Sequence, residues 1–140
     1  MQNDEVEVNG LKLPLGLTRA LREGRWSSLG SSASLATVFD SKPVKSRFFT
    51  LEEIVAVNGY WKDEADPLYL GQADSSHYPG DIDPKRSLIV AELGPDQLIA
   101  LDYRRSAAPE VLFASDDARS PWRLICGSVE ELLSELAASD

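Results

Sequence analysis

Cysteine occurs once in the 140 residues, at Cys126, so an intramolecular disulfide is impossible. A zinc site built on thiolates is correspondingly disfavoured. Long apolar runs are missing too, and none approaches the ~20 residues a membrane helix needs. The opening MQNDEVEVNG is acidic and polar, unlike a signal peptide, and the cytoplasm is the expected location. Positive charge is scarce. Fourteen lysines and arginines face 23 aspartates and glutamates, for a formal net charge of -9. Phosphate backbones and anionic leaflets repel such a surface, which argues against nucleic-acid and membrane partners. A basic protein would be attracted, with a salt-dependent association rate. Acidity also keeps a protein soluble without any partner, so charge alone names no function. There is no G-x-G-x-x-G, no G-x-x-x-x-G-K and no G-x-S-x-G, and no internal repeat.

What is present suffices for a core. The chain is 43% hydrophobic and 26% charged, which excludes global disorder. Its length fits one domain, residues 1–140, with residues 1–10 as a candidate flexible lead-in. A domain of this size buries roughly two-thirds of the surface its unfolded chain exposes. It needs neither a metal nor a cofactor to fold, and none is expected.

Helical spacing appears first after Pro14, where Leu13, Leu17 and Leu21 share a face with Ala20, and Gly24 marks the stop. Trp26 follows and is expected to fold back on this helix. Residues 27–34 are rich in serine and glycine and read as a flexible connection. Residues 34–39 alternate weakly and predict a strand. Thr50 and Glu53 form a capping box, with Phe49 and Ile54 as a hydrophobic staple. Leu51, Ile54, Val55 and Val57 would supply that helix's apolar side, and Asn58-Gly59 its end. Residues 60–84 are irregular, with a short strand at 68–70.

The second half reads as sheet. Residues 88–93 and 97–103 are apolar runs joined by Gly94-Pro95-Asp96, which predicts an antiparallel hairpin. Residues 110–114 and 122–126 are two further strands, separated by the polar loop 115–121. Ser128 and Glu131 form a second capping box, and Val129, Leu132, Leu133 and Leu136 an apolar stripe at helical spacing. Consecutive strands joined by short turns pair antiparallel, so the fold class is α+β.

Candidate chemistry is thin. His77 is the only histidine, and with Asp81 and Asp83 nearby it invites a metal reading. One histidine and two aspartates in a Pro/Gly loop lack zinc or calcium spacing, so a structural or exposed histidine is the stronger reading. Ser75, Ser76, His77 and Asp81 include the residue types of a catalytic triad, but neighbours in one loop rarely reach its geometry. Asp63, Glu64 and Asp66, and separately Asp116-Asp117, could be paired carboxylates, solvated loop charge or a docking surface. Cys126, beside Leu124 and Ile125, reads as a small core residue. Asp102 ends an apolar strand. It either leaves the sheet edge into a turn or fixes the following loop by hydrogen bonds.

The stretch Tyr78-Pro79-Gly80-Asp81-Ile82-Asp83-Pro84 followed by Leu88-Ile89-Val90-Ala91-Glu92-Leu93-Gly94 resembles part of the SUKH superfamily, the Smi/Knr cell-wall-regulator and immunity-protein group. So do Leu98-Ile99-Ala100-Leu101-Asp102-Tyr103-Arg104, then Pro109-Glu110-Val111-Leu112, Trp122 and Ser128-Val129-Glu130-Glu131-Leu132-Leu133. Leu13-Pro14 through Gly24-Arg25-Trp26 is similar to the opening helix of bacterial members. Residues 27–77 match least. The resemblance implies a curved antiparallel sheet flanked by N-terminal helices and a C-terminal helix. It further implies a non-catalytic immunity protein that binds and neutralises a cognate bacterial toxin, often a nuclease. A regulatory or scaffold protein of the same fold is the alternative, and a small hydrolase centred on His77 the third reading. Partner contacts are expected from Trp61, Asp63, Glu64, Asp66, Tyr69, Asp81 and Asp83, aromatics as anchors and carboxylates as steering groups. Trp61 and Tyr69 have a competing reading as core residues.

Overall fold

The computed structural model describes residues 5–29, 31–74, 76, 78–114 and 121–138. In chain order the elements are β1 (Glu7–Val8), β2 (Leu11–Lys12), α1 (Leu15–Arg22), α2 (Ser32–Phe39), β3 (Arg47–Phe48) and α3 (Leu51–Glu64). There follow β4 (Pro79–Gly80), β5 (Ser87–Gly94), β6 (Gln97–Asp102), β7 (Glu110–Ala114), β8 (Trp122–Cys126) and α4 (Val129–Ala138). The fold is α+β. Its main sheet is open, with strand order β3-β5-β6-β7-β8-β4 and every pairing antiparallel. β1 and β2 pair separately as a hairpin, and within the lead-in Val8 is buried.

Helices cover both faces of the sheet, which is why its strands read as apolar runs rather than alternating ones. β7 is buried from Val111 to Ala114, and β5 everywhere except Glu92. On one face Phe113 packs against Phe39 of α2, ring centroids 5.4 Å apart. Phe113 is in register with Arg123, so the adjacent Trp122 projects to the other face, where Trp61 of α3 meets it edge-on at 6.4 Å. Register then shifts between β7 and β8, with Val111 opposite Cys126 but Leu112 opposite Leu124. The extra residue on β8 turns Cys126 back toward the face that α4 covers. Trp26 is buried by a short 3-10 turn, its ring against Phe48 at 5.0 Å and its Nε1–H donated to the Val90 carbonyl at 3.3 Å.

Three expectations about the type and extent of elements are corrected. Residues 34–39 belong to a helix, not a strand. Ser31 Oγ accepts from Ser34 N–H at 3.1 Å, and Ser34 Oγ accepts from Ser31 N–H at 2.9 Å, a reciprocal cap that starts α2. Leu35 and Phe39, four apart, then share its buried face. Residues 67–69 form a 3-10 turn, not a strand, capped by Asp66, whose Oδ1 accepts from Leu68 N–H at 3.0 Å. Finally, α3 does not end at Asn58-Gly59 but runs to Glu64.

The continuation of α3 has a clear cause. Asn58 is fully buried and its amide pairs with a strand edge. Its Nδ2 donates to the Ile89 carbonyl at 2.8 Å, and its Oδ1 accepts from Ile89 N–H at 2.7 Å. Nδ2 also donates to the Ile54 carbonyl at 2.8 Å. β3 pairs with β5 at Ala91 and Glu92, and Phe49 N–H reaches the Val90 carbonyl at 3.1 Å, so Asn58 continues the hydrogen bonding of that edge at Ile89. Ile54, Asn58 and Trp61 therefore set the inner face. Leu51 and Val55, expected on the apolar side, are exposed instead.

Candidate functional site

The residues expected to meet a partner are spread along the segment from α3 to β5, and the fold already uses most of them. Trp61 is 6% exposed. Its Nε1–H donates to Ser87 Oγ at 3.0 Å, and Ser87 Oγ donates in turn to the Asp83 carbonyl at 2.7 Å. Its indole is a core group. Asp63 and Glu64 are exposed in the last turn of α3. Asp66 caps the turn that follows, and Asp83 caps the 3-10 turn Pro84–Arg86, its Oδ1 accepting from Lys85 N–H at 3.0 Å. Tyr69 is half-buried and donates its hydroxyl to Asp96 Oδ1 at 2.8 Å. That hydrogen bond, with burial added, raises the phenol above its ordinary range.

Asp81 belongs to an ion-pair cluster. Arg104 Nη1 donates to Asp81 Oδ1 at 2.8 Å, and Nη2 to the Asp81 carbonyl at 2.9 Å. The same guanidinium reaches back to Asp102, Nε to Oδ1 at 3.0 Å and Nη2 to Oδ2 at 3.1 Å. Asp102 is 2% exposed, and its Oδ1 also accepts from Arg104 N–H at 3.1 Å. Asp102 thus fixes the loop after β6, and through Arg104 it ties that loop to the residue following β4. Burial alone would lower the guanidinium pKa, but the bonds to Asp102 and Asp81 raise it further, so the cation is permanent.

The loop around Asp81 depends on glycine. Gly80 has a φ of +81°, and a Cβ there would run into the Gln72 carbonyl oxygen. Gly71, across the bridge to Asp81, is also left-handed, and a Cβ there would press equally closely on the Gly80 carbonyl.

Ser75, His77 and Asp116-Asp117 lie outside the described residues, so of the triad and histidine-centred readings only Ser76, Asp81 and Asp83 are described. An open cleft of about 540 Å³ is lined in part by Pro67, Leu68, Gln72 and Asp74. Asp74 is the only ionisable group among its described lining residues.

One metal-type grouping occurs among the described residues: Cys126 Sγ and carboxylate oxygens of Glu131 and Glu135 lie within 4.8 Å of one another. Its geometry is that of a thiol hydrogen bond, since Cys126 Sγ donates to Glu135 Oε2 at 3.1 Å. Glu131 Oε2 accepts from Gly127 N–H at 3.1 Å, so this half of the second capping box reaches one residue before Ser128. Burial, followed by the bond to Glu135, pushes the thiol up to about 12 from 9.0. The native thiol should therefore resist iodoacetamide at pH 8 and react fully in denaturant. The unfolded thiol ionises near 9 and the native one does not, so this group's contribution to stability is complete below pH 9. It should be lost as pH rises from 9 toward 12, an alkaline slope absent in Cys126→Ala. Rapid native alkylation at pH 8 would contradict the assignment.

No family model matches the chain, and no curated protein or solved structure matches it. Among the described residues, no helix is long and apolar enough to cross a membrane.

What the sequence did not mark is the outer face of α3. Val55 is 52% and Tyr60 62% exposed, and they flank Ala56 and Gly59 with Glu52 and Asp63 at the two ends. A Cβ at Gly59 would meet nothing within 4 Å. The fold gives no reason for a glycine there, yet glycine in a helix interior costs about 1 kcal/mol relative to alanine. Continuing the helical wheel past Asn58 to Trp61 would have revealed this face.

Proposed function

We propose that this chain is an immunity-type binding protein of the SUKH kind, which occludes a basic bacterial protein toxin, such as a nuclease, and performs no chemistry of its own. The observation that carries this reading is a formal net charge of -9 on an α+β domain whose segments resemble the SUKH superfamily. A nuclease that holds a polyanion presents a basic surface, and an acidic inhibitor gains steering and complementarity against it. The fold is compatible. The segments that resemble the SUKH superfamily fall in order on β4, β5, β6, β7, β8 and α4, and the opening segment on α1. The carboxylates at the end of α3 and in the turns after it supply exposed negative charge.

The test is protection. Candidate basic toxins, any encoded by a gene adjacent to this one included, are expressed in a sensitive host with and without this chain. Growth should be restored by the wild-type chain and not by an unrelated acidic domain of similar size. Continued killing at matched expression would contradict the reading.

A further inference from the structure

Three features of α3 go against what a helix and a core require, and all three lie on or beside its solvent face. Gly59 occupies the helix interior where a Cβ would have open space. Val55 and Tyr60 are more than half exposed. Asp63 and Glu64 occupy the last turn, where the helix dipole favours cations; Lys62 is the only basic residue there. Local rules broken without structural return are the mark of a functional surface.

We propose that the outer face of α3 is the docking surface, and that its occupant is a basic protein. This rests on the toxin-binding reading above and names the surface that performs it. Charge selects the occupant. Glu52, Asp63 and Glu64 outnumber Lys62 around the apolar strip, so a second copy of this acidic chain would be repelled and a cationic partner attracted. The missing side chain at Gly59 leaves a low point where a partner's backbone can approach the helix. Val55 and Tyr60 form walls for an apolar side chain, and Asp63 sits where a lysine or arginine at its edge would reach.

The experiment compares four proteins: wild type, Gly59→Ala, Tyr60→Ala and Leu124→Ala, the last removing an exposed apolar group on β8. Melting temperature is measured for each, with affinity for the purified toxin used in the protection assay. Gly59→Ala should melt about 4 °C higher and bind at least tenfold more weakly. Tyr60→Ala should bind about tenfold more weakly, and Leu124→Ala should bind like wild type. If wild type binds and both α3 variants bind equally well, the docking surface is wrong while the function stands. If Gly59→Ala melts lower than wild type, the glycine serves the fold and the proposal is overturned. Absence of wild-type binding removes the function and, with it, this surface.

Discussion

Asn58→Ala is expected to cost about 3 kcal/mol of folding stability. Asn58 is fully buried, and its amide accepts from one backbone group of Ile89 and donates to the other, at 2.7 and 2.8 Å. Alanine improves helix propensity by a few tenths of a kcal/mol but leaves a buried N–H and a buried C=O on β5 without these partners. Each orphaned group costs about 1–3 kcal/mol, so the loss outweighs the gain. Asn58→Asp keeps the acceptor but sets a carboxylate against the Ile89 and Ile54 carbonyls, and should be no better at neutral pH. Guanidinium denaturation would show a lower midpoint at unchanged slope. A loss below about 1 kcal/mol would mean that water replaces the amide there.

The second large effect is expected at Arg104. Its guanidinium bridges Asp102 and Asp81, and it is only 23% exposed. Arg104→Met keeps the length of the side chain but leaves the Asp102 carboxylate buried without its ion-pair partner. Breaking a buried pair in this way costs about 3 kcal/mol. Adding Asp102→Leu should recover part of the loss, because the penalty comes from the unpaired charge; strict additivity of the two substitutions would contradict this. Arg104→Lys should fall between, since an ammonium cannot span both carboxylates with a planar fork. Hydrogen exchange offers an independent reading, with amides around β4 losing protection in Arg104→Met before those of β6.

Legibility in the sequence followed how each element gains stability. β5 through β8 were readable because their buried faces produce apolar runs and because Gly94-Pro95-Asp96 marks the turn between β5 and β6. α1 and α4 were readable from stripes of leucine at helical spacing. α2 was not. It has eight residues, and its cap is a serine pair, Ser31 and Ser34, within a stretch whose composition reads as a linker. In α3 the Asn58-Gly59 pair has the composition of a helix stop. Only the tertiary partner Ile89 explains why a polar residue there points inward. The β1–β2 hairpin has its signal in Asn9-Gly10, both at positive φ, but two-residue arms offer no alternation to support it. Of the candidate contacts, Asp63, Glu64 and Asp66 remain at the surface, and Tyr69 is half-buried. Trp61 is in the core, and Asp66, Asp81 and Asp83 hold turns or ion pairs. Composition identifies a carboxylate but not the backbone N–H or guanidinium that occupies it.

A stoichiometric titration tests most directly whether this chain acts by binding. Toxin activity is measured at fixed toxin concentration while this chain is added, and the toxin is then recovered by dissociating the complex. Activity should fall linearly to zero at a fixed molar ratio, with full activity and unchanged mass in the recovered toxin. Inactivation by a small fraction of an equivalent, or a recovered toxin that is cleaved or modified, would contradict a purely occluding protein.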